Sequence, residues 1–125
     1  MSTSFPVPDL VYRGLKNKKC IDTTRGVVTP EAYIRREGEE GISVATSPQA
    51  VRDVLETLRG IAELDVTDIR SIVNRATGTP LDVVLDNPPH GNIIGVPRLS
   101  EDKMVAESLA GELARISKLL PPDHP

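Results

Sequence analysis

Two stretches hold residues whose types and spacing suit the capture of an anion. The first is Tyr12-Arg13-Gly14, inside an apolar run at residues 10–15. An arginine beside a glycine in such a run can aim a planar fork of donors at a phosphate or a carboxylate. It can equally sit on a solvent face or in an ion pair, and alternation sends Tyr12 and Arg13 to opposite faces without saying which goes where. The second stretch is residues 41–50, in which an apolar run ends in Thr46-Ser47-Pro48 and turns into a helical pattern. Ser43 lies within the run, Thr46 at its end, and Ser47 at the helix start. A helix start offers free backbone N–H groups and a partial positive charge, which attract phosphate. Capping of the helix by Ser47 accounts for the Ser-Pro pair with no ligand at all.

His90 is the other candidate, at a turn in Pro88-Pro89-His90-Gly91. A lone imidazole can act as a general base or contact a ligand, or serve only the turn. It has no partner cluster in the sequence, so no metal site is expected. The carboxylates Glu37, Glu39 and Glu40 flank Gly38 without the alternating oxygen-ligand spacing of a calcium loop, and read as a charged loop. Glycine-rich dinucleotide and phosphate loops, the Gly-x-Ser-x-Gly elbow and the His-Glu-x-x-His zinc motif are all missing.

The bulk composition narrows the field. The 125 residues fit one domain with one modest core. Aromatic residues make up 2%, so Val, Ile, Leu and Ala must build that core. A formal charge of −3 and a scarcity of stacking platforms argue against DNA or RNA as partner. The one basic cluster, Lys16-Asn17-Lys18-Lys19, reads as a solvated loop. Cys20 is the single cysteine and builds no disulfide framework. No apolar stretch approaches the length of a membrane span, and residues 1–8 lack the pattern of a signal peptide, so a cytoplasmic setting is expected.

The elements that must position these residues are legible as patterns. Strands are expected at residues 10–15, 42–46, 61–66, 81–85 and 92–96. Thr29-Pro30-Glu31 reads as a capped helix start, cut short near Gly38. After Ser47-Pro48, one helix face carries Val51, Val54, Leu55 and Leu58, and the helix ends at Gly60. Residues 67–72 suit a short helical turn. Ser100 is expected to cap the longest helix, with Glu101 and Asp102 in its first turn and an apolar stripe of Val105, Leu109, Leu113, Ile116 and Leu120. Pro121-Pro122 would end it. The pattern predicts an α+β or α/β fold: a single domain over residues 9–120, a small sheet with the long C-terminal helix packed on it, and loose tails at 1–8 and 121–125.

The order Val11-Tyr12-Arg13-Gly14, then residues 41–50, resembles the front half of small bacterial ADP-ribosyltransferase-like domains. The likeness runs from roughly residue 10 to residue 56. It implies that Arg13 contacts the pyrophosphate of NAD and that Ser43, Thr46 or Ser47 lies beside the nicotinamide ribose. Residues 43–48 are also similar to the strand-to-helix junction of RES-type toxin domains, whose strand tyrosine would fall at Ser43 and whose helix glutamate near Asp53 or Val54. Such enzymes use a late glutamate near the reacting ribose. Residues 92–96 hold none, while Glu101, Glu107 and Glu112 fall at or within the last helix. The resemblance therefore implies a small-molecule nucleotide as partner, NAD as cofactor and, with no late glutamate on that strand, a catalytically degenerate relative; His90, from its residue type alone, is the candidate catalytic group. The alternative is a non-catalytic interaction protein or subunit, a homo- or hetero-oligomer whose contacts are the last helix and the proline-spaced arm at 1–8. Arg13→Ala is expected to weaken NAD binding by roughly 1–3 kcal/mol with little effect on melting.

Overall fold

Alternating apolar residues pair six segments of the chain into one sheet, and a computed structural model describes residues 5–35 and 38–125. The elements are β1 (Leu10–Leu15), a 3-10 turn (Lys18–Cys20), β2 (Ile21–Asp22), β3 (Val27–Val28), a second 3-10 turn (Pro30–Tyr33), β4 (Ile42–Ala45) and α1 (Pro48–Val54). They continue with β5 (Gly60–Asp65), α2 (Val66–Arg70), β6 (Val73–Asn74), β7 (Thr79–Pro80), β8 (Asp82–Asn87), β9 (His90–Ile94), α3 (Lys103–Ile116) and β10 (Lys118–Leu120). Six strands form the main sheet in the order β10-β5-β1-β4-β9-β8, while β2–β3 and β6–β7 are separate two-stranded ribbons. Neighbours in the main sheet run antiparallel. The fold is α+β.

The two faces of the sheet carry different cores, as a period of two requires. Val11, Leu15, Ile42, Val44, Ala62, Leu64, Val83 and Ile93 point to one face and pack with Leu109, Ala110 and Leu113 of α3 and with Tyr33. Ala45 and Ile61 point to the other, where Ala50 and Val51 of α1 and Leu120 cover them and Tyr12, Leu55 and Leu58 flank them. Gly14 lets α1 approach, since a Cβ there would stand 2.8 Å from Val51 Cγ1. The larger core holds α3 as expected, with Leu109 at 4% and Leu113 at 0% exposure.

Several boundaries differ from the sequence expectation. The helix at residue 30 is only a 3-10 turn; the Thr29 hydroxyl does not cap it but donates to the Lys19 carbonyl. Helix α1 stops at Val54, which is 58% exposed instead of facing the core, because the chain must turn there to enter β5. Asp102, not Ser100, caps α3: its carboxylate accepts from the Val105 N–H, and the residues before it form a turn in which the Glu101 carboxylate accepts from the Arg98 N–H. That helix ends at Ile116. Leu120, which continues the helical stripe by spacing, belongs instead to β10, a sheet-edge strand with Leu119 opposite Ala62 and Leu120 opposite Ile61.

A hydroxyl relay marks that helix-to-strand junction. Ser117 Oγ donates its proton to the Leu113 carbonyl at 2.7 Å, so the Tyr33 hydroxyl, 2.5 Å from Ser117 Oγ, must be the donor in that pair. Tyr33 is fully buried, and burial pushes its phenol far above the ordinary value of 10.0, against a smaller lowering effect of the Arg13 charge. At the far edge, Arg70 of α2 pairs with Asp82 of β8 at 2.8 Å and holds that carboxyl below its ordinary range. Residues 121–125 lie against α1, where Arg52 Nη1 donates to the carbonyls of Pro122 and His124.

Leu109→Ala should cost about 2–5 kcal/mol in denaturant melts, as for other buried leucines; a loss below about 0.5 kcal/mol would place Leu109 outside the core. Tyr33 yields a pH prediction. A folded-state value raised above the unfolded one gives stability that is fully present below pH 10 and lost as pH rises above it. Tyr33→Phe should cost about 1 kcal/mol at neutral pH. It should also flatten the alkaline decline in unfolding free energy, which Tyr12→Phe controls for the other raised tyrosine. An unchanged alkaline slope in Tyr33→Phe would be the contrary result.

Candidate functional site

The two central strands of the sheet barely pair with each other. Strand β1 matches β5 along all six of its residues, but it meets β4 in register only at Tyr12 opposite Ala45. From that pair onward, towards Leu15 and Ile42, the two strands diverge. A cleft of about 900 Å³ opens at this split. Because it passes between strands, residues of both sheet faces line it: Arg13, Ala32 and Val44 from one, Tyr12, Gly14 and Ser43 from the other.

Arg13 spans the split. Its Nε donates to the Ala32 carbonyl at 2.5 Å and its Nη1 to the Ser43 carbonyl at 2.8 Å. The guanidinium also stands 5.9 Å from the centre of the Tyr33 ring. That is the outer limit of about 6 Å for a cation–π contact, worth about 0.5–1 kcal/mol, whereas a hydrogen bond from a charged donor is worth about 1.5–3 kcal/mol. The carbonyls, then, fix the arginine, and the ring supports it. Alternation is resolved in the same stroke: Arg13 points to the face of the 3-10 turn and Tyr12 to the face of α1. Tyr12 stands opposite Glu63 of β5, and burial, helped by the Glu63 carboxylate, raises its phenol.

Of the five residues singled out from sequence, the cleft brings together three. Arg13 lies across its opening, Ser43 is exposed in its wall, and His90 stands at the start of β9, opposite Ala45. Thr46 and Ser47 do not line it. The Thr46 N–H donates to the Pro89 carbonyl at 2.9 Å, and Ser47 Oγ accepts from the Ala50 N–H at 3.1 Å as a helix cap. The capping reading of Ser47 is thus the observed one. His90 belongs to a tight β8–β9 hairpin whose Pro88–Pro89 peptide is cis.

The lining includes groups that sequence reading assigned elsewhere. Lys16 and Lys18, in a cluster with the pattern of a solvated loop, reach the cleft, with Arg59 from the turn before β5. Their signal was position: the cluster follows directly on the end of β1, and Asn17 Oδ1 accepts from the Lys19 N–H, curling the loop into a 3-10 turn. Cys20 and the carboxylates of Glu31 and Glu39 also line the cleft. The Glu39 carbonyl accepts from Arg35 at 2.8 Å and from Arg98 at 3.1 Å, tying this side to the approach to α3. Glu37 lies outside the described residues.

Among the described residues, four cationic side chains (Arg13, Lys16, Lys18, Arg59) line the cleft against two carboxylates (Glu31, Glu39), on a chain whose formal charge is −3. Val51, Val54 and Leu55 of α1 give it an apolar wall. A basic cleft with one apolar side suits an anion that carries a flat or aliphatic body. Among the described residues no group of three or more His, Cys, Asp or Glu is placed to hold a metal ion, and no helix is long and apolar enough to cross a membrane.

No family model, no curated protein and no solved structure matches the chain.

The placement of Arg13 changes one expectation. Arg13→Ala leaves the Ala32 and Ser43 carbonyls without this donor, so it should lower stability by about 2 kcal/mol or more, in place of a neutral effect on melting. Arg13→Lys, which cannot reach both carbonyls with a planar fork, should recover less than half of that loss. Denaturant melts of the two variants decide it; a neutral Arg13→Ala would mean the split is held by other contacts.

Proposed function

We propose that the cleft between the central strands binds NAD or a related nucleotide, in a domain of ADP-ribosyltransferase-like build. The observation that carries this reading is the excess of cations around a cleft lined from both sheet faces on an acidic chain. The cleft volume of about 900 Å³ falls within the range of about 300–1,000 Å³ for small-molecule sites. In this reading Lys16, Lys18 and Arg59 neutralise the pyrophosphate, assisted by the positive charge of Arg13. Ser43 offers its exposed hydroxyl to a ribose, and the α1 wall of Val51, Val54 and Leu55 covers a base. His90 stands at the wall as a hydrogen-bonding group and as the candidate proton acceptor.

The reading is one of binding, with catalysis degenerate. The carboxylates near the cleft are Glu31 and Glu39, both early in the chain. Glu101, Glu107 and Glu112, the late glutamates, are not among its lining residues. The alternative of an interaction protein working through the last helix has less behind it, because Leu109 and Leu113 are covered by the chain's own sheet.

Thermal melts test the proposal. NAD at about one hundred times its dissociation constant should stabilise the fold by about 2.7 kcal/mol. Lys16→Glu replaces an exposed cation and should weaken NAD about tenfold or more without lowering the melting temperature of the free protein. No shift with NAD, ADP-ribose or ATP at millimolar concentration would remove the nucleotide reading.

A further inference from the structure

A second cavity, of about 490 Å³, lies on the other side of Lys18 and Arg59, which line both. Its floor is the half-buried Ile21 and Leu119 with the buried Leu120, and Thr23 stands at its rim. Two cations therefore face an aliphatic floor, and the lining holds no carboxylate. The adjoining Asp22 is engaged elsewhere: its Oδ1 accepts from the N–H groups of Thr24 and Arg25, each at 3.1 Å, and closes the turn between β2 and β3. We propose that this cavity is a binding site for a small amphipathic carboxylate, with its charged end at Lys18 and Arg59 and its aliphatic body on Leu119, Leu120 and Ile21.

The chemistry follows from what each part rejects. An ammonium compound would meet two like charges. A neutral alcohol would bury the same aliphatic body but leave both cations without a counter-charge, forfeiting bonds worth about tenfold or more in affinity. A folded protein partner needs a wide patch, whereas a concavity of this size matches small molecules. The proposal shares Lys18 and Arg59 with the nucleotide reading, but its floor and rim residues belong to this cavity and not to the cleft, so the two can be tested separately.

Amide shifts of the full chain, titrated separately with octanoate, octylamine and octanol, test it. Octanoate should move the amides of Thr23, Leu119 and Leu120 saturably, octylamine should not, and octanol should bind about tenfold more weakly or worse. Thr23→Glu, an exposed change at the rim, places a like charge in the cavity without touching the core. It should weaken octanoate about tenfold while leaving NAD-induced shifts at Ser43 and His90 intact. Lys16→Glu, in the cleft alone, should do the reverse. Binding of octylamine or octanol as tight as octanoate, octanoate shifts confined to the cleft, an unchanged affinity in Thr23→Glu, or no saturable shift at all would each overturn the proposal. No NAD-induced shift in the unsubstituted chain, with its octanoate binding intact, would overturn only the nucleotide reading.

Discussion

One guanidinium holds open what backbone hydrogen bonds would otherwise close. Strands β1 and β4 occupy the middle of a six-stranded sheet, the place where a ladder is normally most complete. Here the ladder between them reduces to a single pair, and Arg13 reaches out to carbonyls on the far side. A polar backbone group left in a gap costs free energy unless something satisfies it. A charged fork satisfies two of them while keeping the strands apart. The cleft is thus a consequence of substituting side-chain donors for main-chain ones, and the cations around it stand where the sheet declines to pair.

The rest of the architecture supports that substitution from two sides. Tyr33, buried under Arg13, is anchored to α3 through Ser117, so the 3-10 turn that offers the Ala32 carbonyl cannot drift from the larger core. On the opposite face, α1 presses on Gly14 and Ala45, keeping both central strands against the smaller core although they share so little register. The two layers carry unequal loads. Helix α3, four turns long, brings Leu109, Ala110 and Leu113; α1, two turns long, brings Ala50 and Val51. The face with less burial is the one whose residues complete the cleft's apolar wall.

Strand β1, the start of α1, and the apolar face of α3 were legible because they depend on local rules: β-branched runs, a Ser-Pro cap, and helical spacing of leucines. Val54 shows where a local rule stops. It fits the helical stripe by spacing, yet the chain leaves the helix at that residue to enter β5, and nothing nearby in sequence announces the exit. Lys118-Leu119-Leu120 shows the same limit. Its leucine continues the stripe of α3 by spacing, but pairing with β5, distant in sequence, outweighs helix propensity. The cleft itself was half legible. Arg13, Ser43 and His90 were identifiable as residue types able to meet a ligand. Lys16, Lys18 and Arg59 were not, because only the split between the central strands gives their charges a common direction.

The sheet ladder ends at β10 on one side and β8 on the other, and the composition of these edge strands bears on how the protein behaves in crowded solution. Strand β10 offers only three residues before Pro121 and Pro122, whose rings supply no donor for a neighbouring strand. Strand β8 is longer, but Asp82 and Asp86 lie along it and a shift of register interrupts its ladder towards Asn87. Short length, proline, like charges and irregular register are the features that stop one sheet from extending into the next. A sheet whose neighbouring strands all run antiparallel thereby denies its edges to passing copies. Its tendency to polymerise is kept low at the rim, which leaves the middle of the sheet free to carry the one deliberate gap.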